Sequence, residues 1–147
     1  MQASDYFARA RDAAISLDGM RASLEYARSA EQPCGVDYLG VTVRTSGDDR
    51  SAATIRRIML EQRYAERQCE YEAIMDAALE RLYGEDGRGG LAKRHGGKYA
   101  DAICLRYLQL ASCRESSEAM GYTPDYITRL CTEGFRLMDE DRAEQTR

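Results

Sequence analysis

Apolar residues recur at Ala3, Tyr6, Ala10, Ala13, Leu17, Met20, Leu24 and Ala27, in alternating steps of three and four residues. That alternation keeps one narrow stripe on a single side of a helix, so the N-terminal segment is predicted to be helical with a coiled-coil-like seam. Pro33 and Gly35 end it. Residues 33–50, PCGVDYLGVTVRTSGDDR, read as a connection in which Val41-Thr42-Val43 could make a short extended piece. From Ser51 to Tyr83 neither Gly nor Pro occurs in 33 residues. As one helix this segment would run about 50 Å, the length of a coiled coil or a long hairpin.

The pattern changes at Gly84. GEDGRGGLAKRHGG, residues 84–97, holds 6 of the 12 glycines and reads as a flexible link or exposed loop. Beyond it, Tyr99, Ile103, Tyr107 and Leu110 mark one face of a short helix. Ser112 with Glu115 three residues later is a capping box, and Gly121 soon ends the helix it opens. Thr123 and Pro124 supply an N-cap and a first-turn proline for a last helix, whose buried stripe is Ile127, Leu130, Cys131 and Leu137.

A short helix, a glycine turn and a longer helix make a helix-turn-helix. With Gly121 as the turn glycine, the inward positions six and nine residues later are Ile127 and Leu130, both apolar. The outward positions then include Asp125, Thr128, Arg129 and Thr132, with Thr123 at the helix start, and these would face a major groove. Arg129 suits a guanine edge or a phosphate, and the threonines suit a thymine methyl or a phosphate oxygen. Asp125 could only accept from cytosine.

Composition supports helices. The 147 residues contain 2 Pro, 2 Phe and no Trp, with 44% hydrophobic and 31% charged residues, which is enough apolar material for a core. No apolar run reaches the length of a bilayer span, and MQASDYFARARD at the N-terminus carries acids where a signal peptide would be basic and then apolar. The chain is therefore expected to be cytoplasmic and free of membranes. Five cysteines without a C-x-x-C pair, alongside a single histidine, support neither a disulfide framework nor a metal site, and they are expected to be reduced core residues. His95 amid glycines is expected to be an exposed loop residue, and GGLAKRHGGK lacks the spacing of a P-loop. No catalytic residue and no cofactor are expected.

The net charge of −4 is unevenly spread, at −5 over residues 1–87, +3 over residues 88–138 and −2 over the remainder. Within the second helix, residues 50–68 carry +3 and residues 69–86 carry −5, with Glu72, Asp76 and Glu80 stacked four apart. Like charges at that spacing repel. The row is expected either to face cations, namely Arg9 and Arg11 in a hairpin or Arg56, Arg57, Arg63 and Arg67 of a second copy, or to lie in solvent. Lys93, Arg94 and Lys98 of the glycine-rich stretch, together with Arg114 and Arg136, are candidate phosphate contacts.

LRYLQLASCRESSEAMGYTPDYITRL is similar to the promoter-reading C-terminal region of bacterial sigma factors, and more so to small phage and prophage regulators of the RinA and ArpU type. The resemblance is carried by Leu105-Arg106-Tyr107-Leu108, Arg114-Glu115, Gly121-Tyr122 and Tyr126-Ile127-x-Arg129-Leu130, within about 45 residues. Ser116-Ser117 stand where the family has an apolar residue and alanine, and Cys113 where an aromatic is frequent. The resemblance implies a sequence-specific DNA-binding transcriptional regulator. The expected organisation is all-α: a helical hairpin for oligomerisation (1–83), a glycine-rich link (84–97), a sigma-like helix-turn-helix (98–140) and a tail (141–147). Expected partners are duplex DNA, a second copy as a dimer, and RNA polymerase. The alternatives are a helical interaction module acting on RNA polymerase or another partner, and a small DNA-packaging adaptor.

Overall fold

Both long helices expected from the sequence are present. In the computed structural model, which describes residues 1–31 and 47–146, α1 spans Ala3–Glu31 and α2 spans Gly47–Tyr83. Then come α3 (Gly90–His95), α4 (Gly97–Ile103), a π-helical turn (Cys104–Leu108), α5 (Cys113–Met120) and α6 (Pro124–Gln145). Among the described residues there is no strand, and the fold class is all-α. The Val41-Thr42-Val43 segment lies outside the described residues. Helix α2 begins at Gly47 and not at Ser51, since a glycine is tolerated at the very start of a helix.

The chain forms two compact units, Met1–Ile15 with Glu70–Arg147, and Ser16–Cys69. The expected boundary after residue 83 is not where they divide. Ala3, Phe7 and Ala10 of α1 and Ala78 and Leu82 of α2 are buried in one core with Leu91, Ile103, Leu108, Ile127, Leu130 and Phe135. The 3-4 spacing locates the buried stripe of α1, whereas the partner of that stripe is a tertiary matter. Phe7, which lies beside the seam and not on it, is fully buried.

Nor are residues 84–97 a free link. They contain α3, whose Leu91 is buried, and its start is pinned at Gly90, where φ is +61° and a Cβ would meet the Arg81 carbonyl oxygen at 2.6 Å. Only glycine fits there, so part of the glycine richness serves close packing. Gly134 does the same on α6: it is buried, and a Cβ would lie 2.8 Å from Ile103 Cδ1. Helix α6 continues through the expected tail to Gln145.

In the Ser16–Cys69 unit, Leu24 and Ala27 of α1 are buried. Arg28 pairs with Glu61 at 3.2 Å, and Arg57 reaches the same carboxylate at 2.9 Å. Bonds from Arg57 and Arg28 hold the Glu61 carboxyl below its usual range. The apolar residues Ile55, Ile58 and Met59, on one face of α2, are exposed.

Candidate nucleic-acid interface

The approach to α5 is set by the π-helical turn. Gln109 N–H donates to the Cys104 carbonyl (3.0 Å) and Ala111 N–H to that of Leu105 (2.9 Å), while Leu110 takes a φ of +56°. Leu110 therefore falls beyond the helix whose face it was expected to share with Tyr99, Ile103 and Tyr107. Arg106 closes the loop by donating to the Ala111 carbonyl at 2.8 Å.

The local signals around the next two helices appear in the geometry. Ser112 Oγ accepts from Glu115 N–H (3.1 Å) and Glu115 Oε2 accepts from Ser112 N–H (2.7 Å), which is the reciprocal capping box. That backbone bond holds the Glu115 carboxyl below its ordinary range. Gly121 ends α5 in the left-handed region (φ +72°, ψ +23°), and Thr123 Oγ1 caps α6 by accepting from Tyr126 N–H at 3.4 Å, with Pro124 in its first turn. Behind the turn, Ile127 and Leu130 are buried. In front, Asp125, Thr128, Arg129 and Thr132 are exposed.

The two threonines already use their hydroxyl protons. Thr128 donates to the Pro124 carbonyl (3.2 Å) and Thr132 to the Thr128 carbonyl (3.1 Å). Such back-bonds leave oxygen lone pairs and methyl groups to face outward, which favours apolar contact and acceptance over donation to a phosphate.

The candidate cations are less united. Arg114 is paired with Glu118 at 3.2 Å, Arg136 binds Glu133 and Glu140, and Arg94 binds Asp141 at 3.2 Å. Lys98 instead lies 5.0 Å over the Tyr99 ring, and the neighbouring Tyr126 phenol raises its pKa. Arg94 is thus held at Asp141, toward the C-terminal end of α6, whereas Lys98 lies over Tyr99 of α4. Lys93 is exposed.

His95 is not an exposed loop residue. It is partly buried, and its Nε2 lies 3.0 and 3.1 Å from the two Asp141 carboxylate oxygens. Burial at this contact pushes the Asp141 carboxyl up, but the bonds from His95 and Arg94 outweigh it and leave the group below its usual range.

Ser116 is fully buried on α5, and its Oγ has no hydrogen-bond partner among the described residues. Ser117, next to it, donates to the Tyr122 carbonyl. The sequence marks this pair as polar at a packing position but does not separate the two roles. Of the four described cysteines, Cys104 and Cys131 are buried, Cys113 is partly so and Cys69 is exposed, so core burial holds for two. Burial pushes the Cys131 thiol up to about 11 and raises that of Cys104. Cys34 lies outside the described residues.

Tyr99, Tyr122 and Tyr126 were not among the expected contact residues. Tyr122 and Tyr126 pack edge to face with centroids 5.0 Å apart at the start of α6, a pairing readable from their four-residue spacing. Tyr99, on α4, shares an open groove of about 410 Å³ with Tyr126, Arg129, Leu130 and Glu133. Among the described residues no group of three or more His, Cys, Asp or Glu side chains could hold a metal ion, and no helix is long and apolar enough to cross a membrane. Compared with known proteins, the chain matches no family model, no curated protein and no solved structure.

Proposed function

We propose that this chain is a sequence-specific DNA-binding transcriptional regulator of the phage or prophage type, similar to RinA and ArpU regulators and acting in the cytoplasm. Helices α5 and α6 would serve as its sigma-like helix-turn-helix, with α6 entering the major groove. One observation carries this reading: after a left-handed Gly121, Ile127 and Leu130 turn into the core while Asp125, Thr128, Arg129 and Thr132 stand exposed at the start of α6. A groove-reading helix needs that division between a packed face and a free one. Thr128 and Thr132 would meet thymine methyls, Arg129 a guanine edge or a phosphate, and Lys93 and Lys98 the backbone. Selection of the full-length chain against random duplexes at near-physiological salt tests the reading, because it returns the preferred sequence and its half-site spacing. Loss of all binding above low salt with no enriched sequence would overturn it.

Self-association belongs to the same proposal. The exposed Ile55, Ile58 and Met59 follow one another at three- and one-residue steps on α2, an apolar face suited to a second copy. Light scattering at micromolar concentration should report a dimer, and a strict monomer would remove this part.

The carboxylate pairing of Arg94, Arg114 and Arg136 favours a second reading, a helical interaction module acting on RNA polymerase. Cations already neutralised release few counterions to DNA. Specific retention by RNA polymerase in a pull-down without DNA would support this reading over the first.

A further inference from the structure

The groove between α4 and α6 is chemically one-sided. The rings of Tyr99 and Tyr126 supply apolar surface, while Arg129 and, at the rim, Lys98 supply positive charge. Its acid, Glu133, is held through both oxygens by Arg136, which keeps the Glu133 carboxyl below its usual range and offsets its charge. Among the described residues neither Lys98 nor Arg129 is paired with a carboxylate, in contrast to Arg94, Arg114 and Arg136. The Tyr126 phenol lines the same groove, and its O–H is a donor that an anion could accept.

Two unpaired cations and a hydroxyl donor beside an apolar wall complement an anion attached to a nonpolar body. We propose that the groove seats one sugar-phosphate unit of a DNA strand, its phosphate held by Lys98, Arg129 and the Tyr126 hydroxyl and its deoxyribose lying against the Tyr99 ring. The inference rests on the DNA-binding reading and deepens it. It moves the salt-dependent contacts from Arg94, Arg114 and Arg136, each of which would have to leave an unpaired carboxylate beside a phosphate, to Lys98 and Arg129. It also assigns Tyr126 a role in binding.

The test uses the full-length chain and a fluorescent duplex of random sequence, with affinity measured between about 50 and 200 mM salt. Lys98→Gln combined with Arg129→Gln, both at exposed positions, should flatten the slope of log affinity on log salt by about 0.9, the share of the one phosphate they hold. Tyr126→Phe keeps the ring and removes the donor, so affinity should fall about tenfold with the slope unchanged, as for loss of one hydrogen bond to a charged group. If the parent chain binds with a steep slope and the Lys98→Gln, Arg129→Gln double variant leaves that slope intact, the groove assignment fails while the DNA-binding reading stands. The assignment fails in the same way if Arg114→Gln combined with Glu118→Gln, a charge-neutral change, flattens the slope as much as the Lys98→Gln, Arg129→Gln double variant does. Competition by inorganic phosphate far beyond that of chloride at equal ionic strength would reassign the groove to a free anion and overturn the proposal. If the parent chain binds no duplex above low salt, the DNA-binding reading itself fails and takes this inference with it.

Discussion

The Phe7 ring lies 5.7 Å from that of Phe135, tilted by 30°, so the first turns of α1 share a core with α6. Tyr107 completes the stack edge-on against Phe135 at 5.2 Å. The module that carries the candidate interface is therefore built partly from the N-terminus, which is also fastened by Ala3 N–H donating to Asp139 Oδ1 at 2.8 Å and by Arg142 donating to the Met1 carbonyl at 2.6 Å.

Phe7→Ala should destabilise this unit by about 3–5 kcal/mol, the usual cost of emptying a buried aromatic site. Ile15→Ala, at a residue 49% exposed on the same helix, should stay within about 0.5 kcal/mol of neutral. Urea unfolding of both variants decides the matter, and equal small effects would place Phe7 outside the core. A fragment of residues 88–147 should lose cooperative unfolding, since it lacks Phe7, Ala10, Ala78 and Leu82.

At Gly121 the surroundings are open, and a Cβ would meet nothing within 4 Å, so only the left-handed backbone resists a side chain. Gly121→Ala should cost about 1–2 kcal/mol, and Gly121→Val more because β-branching disfavours positive φ further. Gly90→Ala should cost more than Gly121→Ala, because a steric clash with backbone adds to the strain. Arg129→Ala should be close to neutral for stability. If Gly121→Val and Arg129→Ala shifted the melting temperature equally, the turn would not depend on Gly121.

Ser116→Ala should stabilise the protein by about 1 kcal/mol. The buried hydroxyl has no hydrogen-bond partner among the described residues, a cost that removing the oxygen relieves. Denaturant midpoints of the two proteins give the sign directly, and a loss of stability would mean that the hydroxyl contributes a bond.

The Asp141 contact sets a pH dependence whose sign is fixed. Its carboxyl is held below the ordinary value of 3.8 in the folded chain, so its contribution is fully present above that value and fades as pH falls through the lower folded one. Asp141→Asn should destabilise the protein at neutral pH, and the difference from the parent should shrink as acid is added. Urea midpoints from neutral pH down to about pH 2.5 would show the two curves converging, whereas a gap that widened in acid would contradict the His95 and Arg94 pairing.

Helices, caps and turns were legible because they depend on neighbours in the chain. The 3-4 spacing marks the buried side of α1, and Ser112 with Glu115, the glycine at position 121 and Thr123-Pro124 each act within a few residues of their own backbone. The inward and outward faces at the start of α6 follow from the same helical period. Partner choice was not local, and the sequence left it open. Nothing within one helix says that Phe7 meets Phe135, that Leu91 makes a packed element out of a glycine-rich stretch, or that His95 lies against Asp141, 46 positions away. The fate of charges was equally hidden, since an arginine free for phosphate and one bound to a carboxylate are the same letter. Three-dimensional proximity separated Lys98 and Arg129 from Arg94, Arg114 and Arg136, and it brought Tyr99 and Tyr126 together in one groove, because burial and ion pairing depend on which surfaces the packed helices bring together.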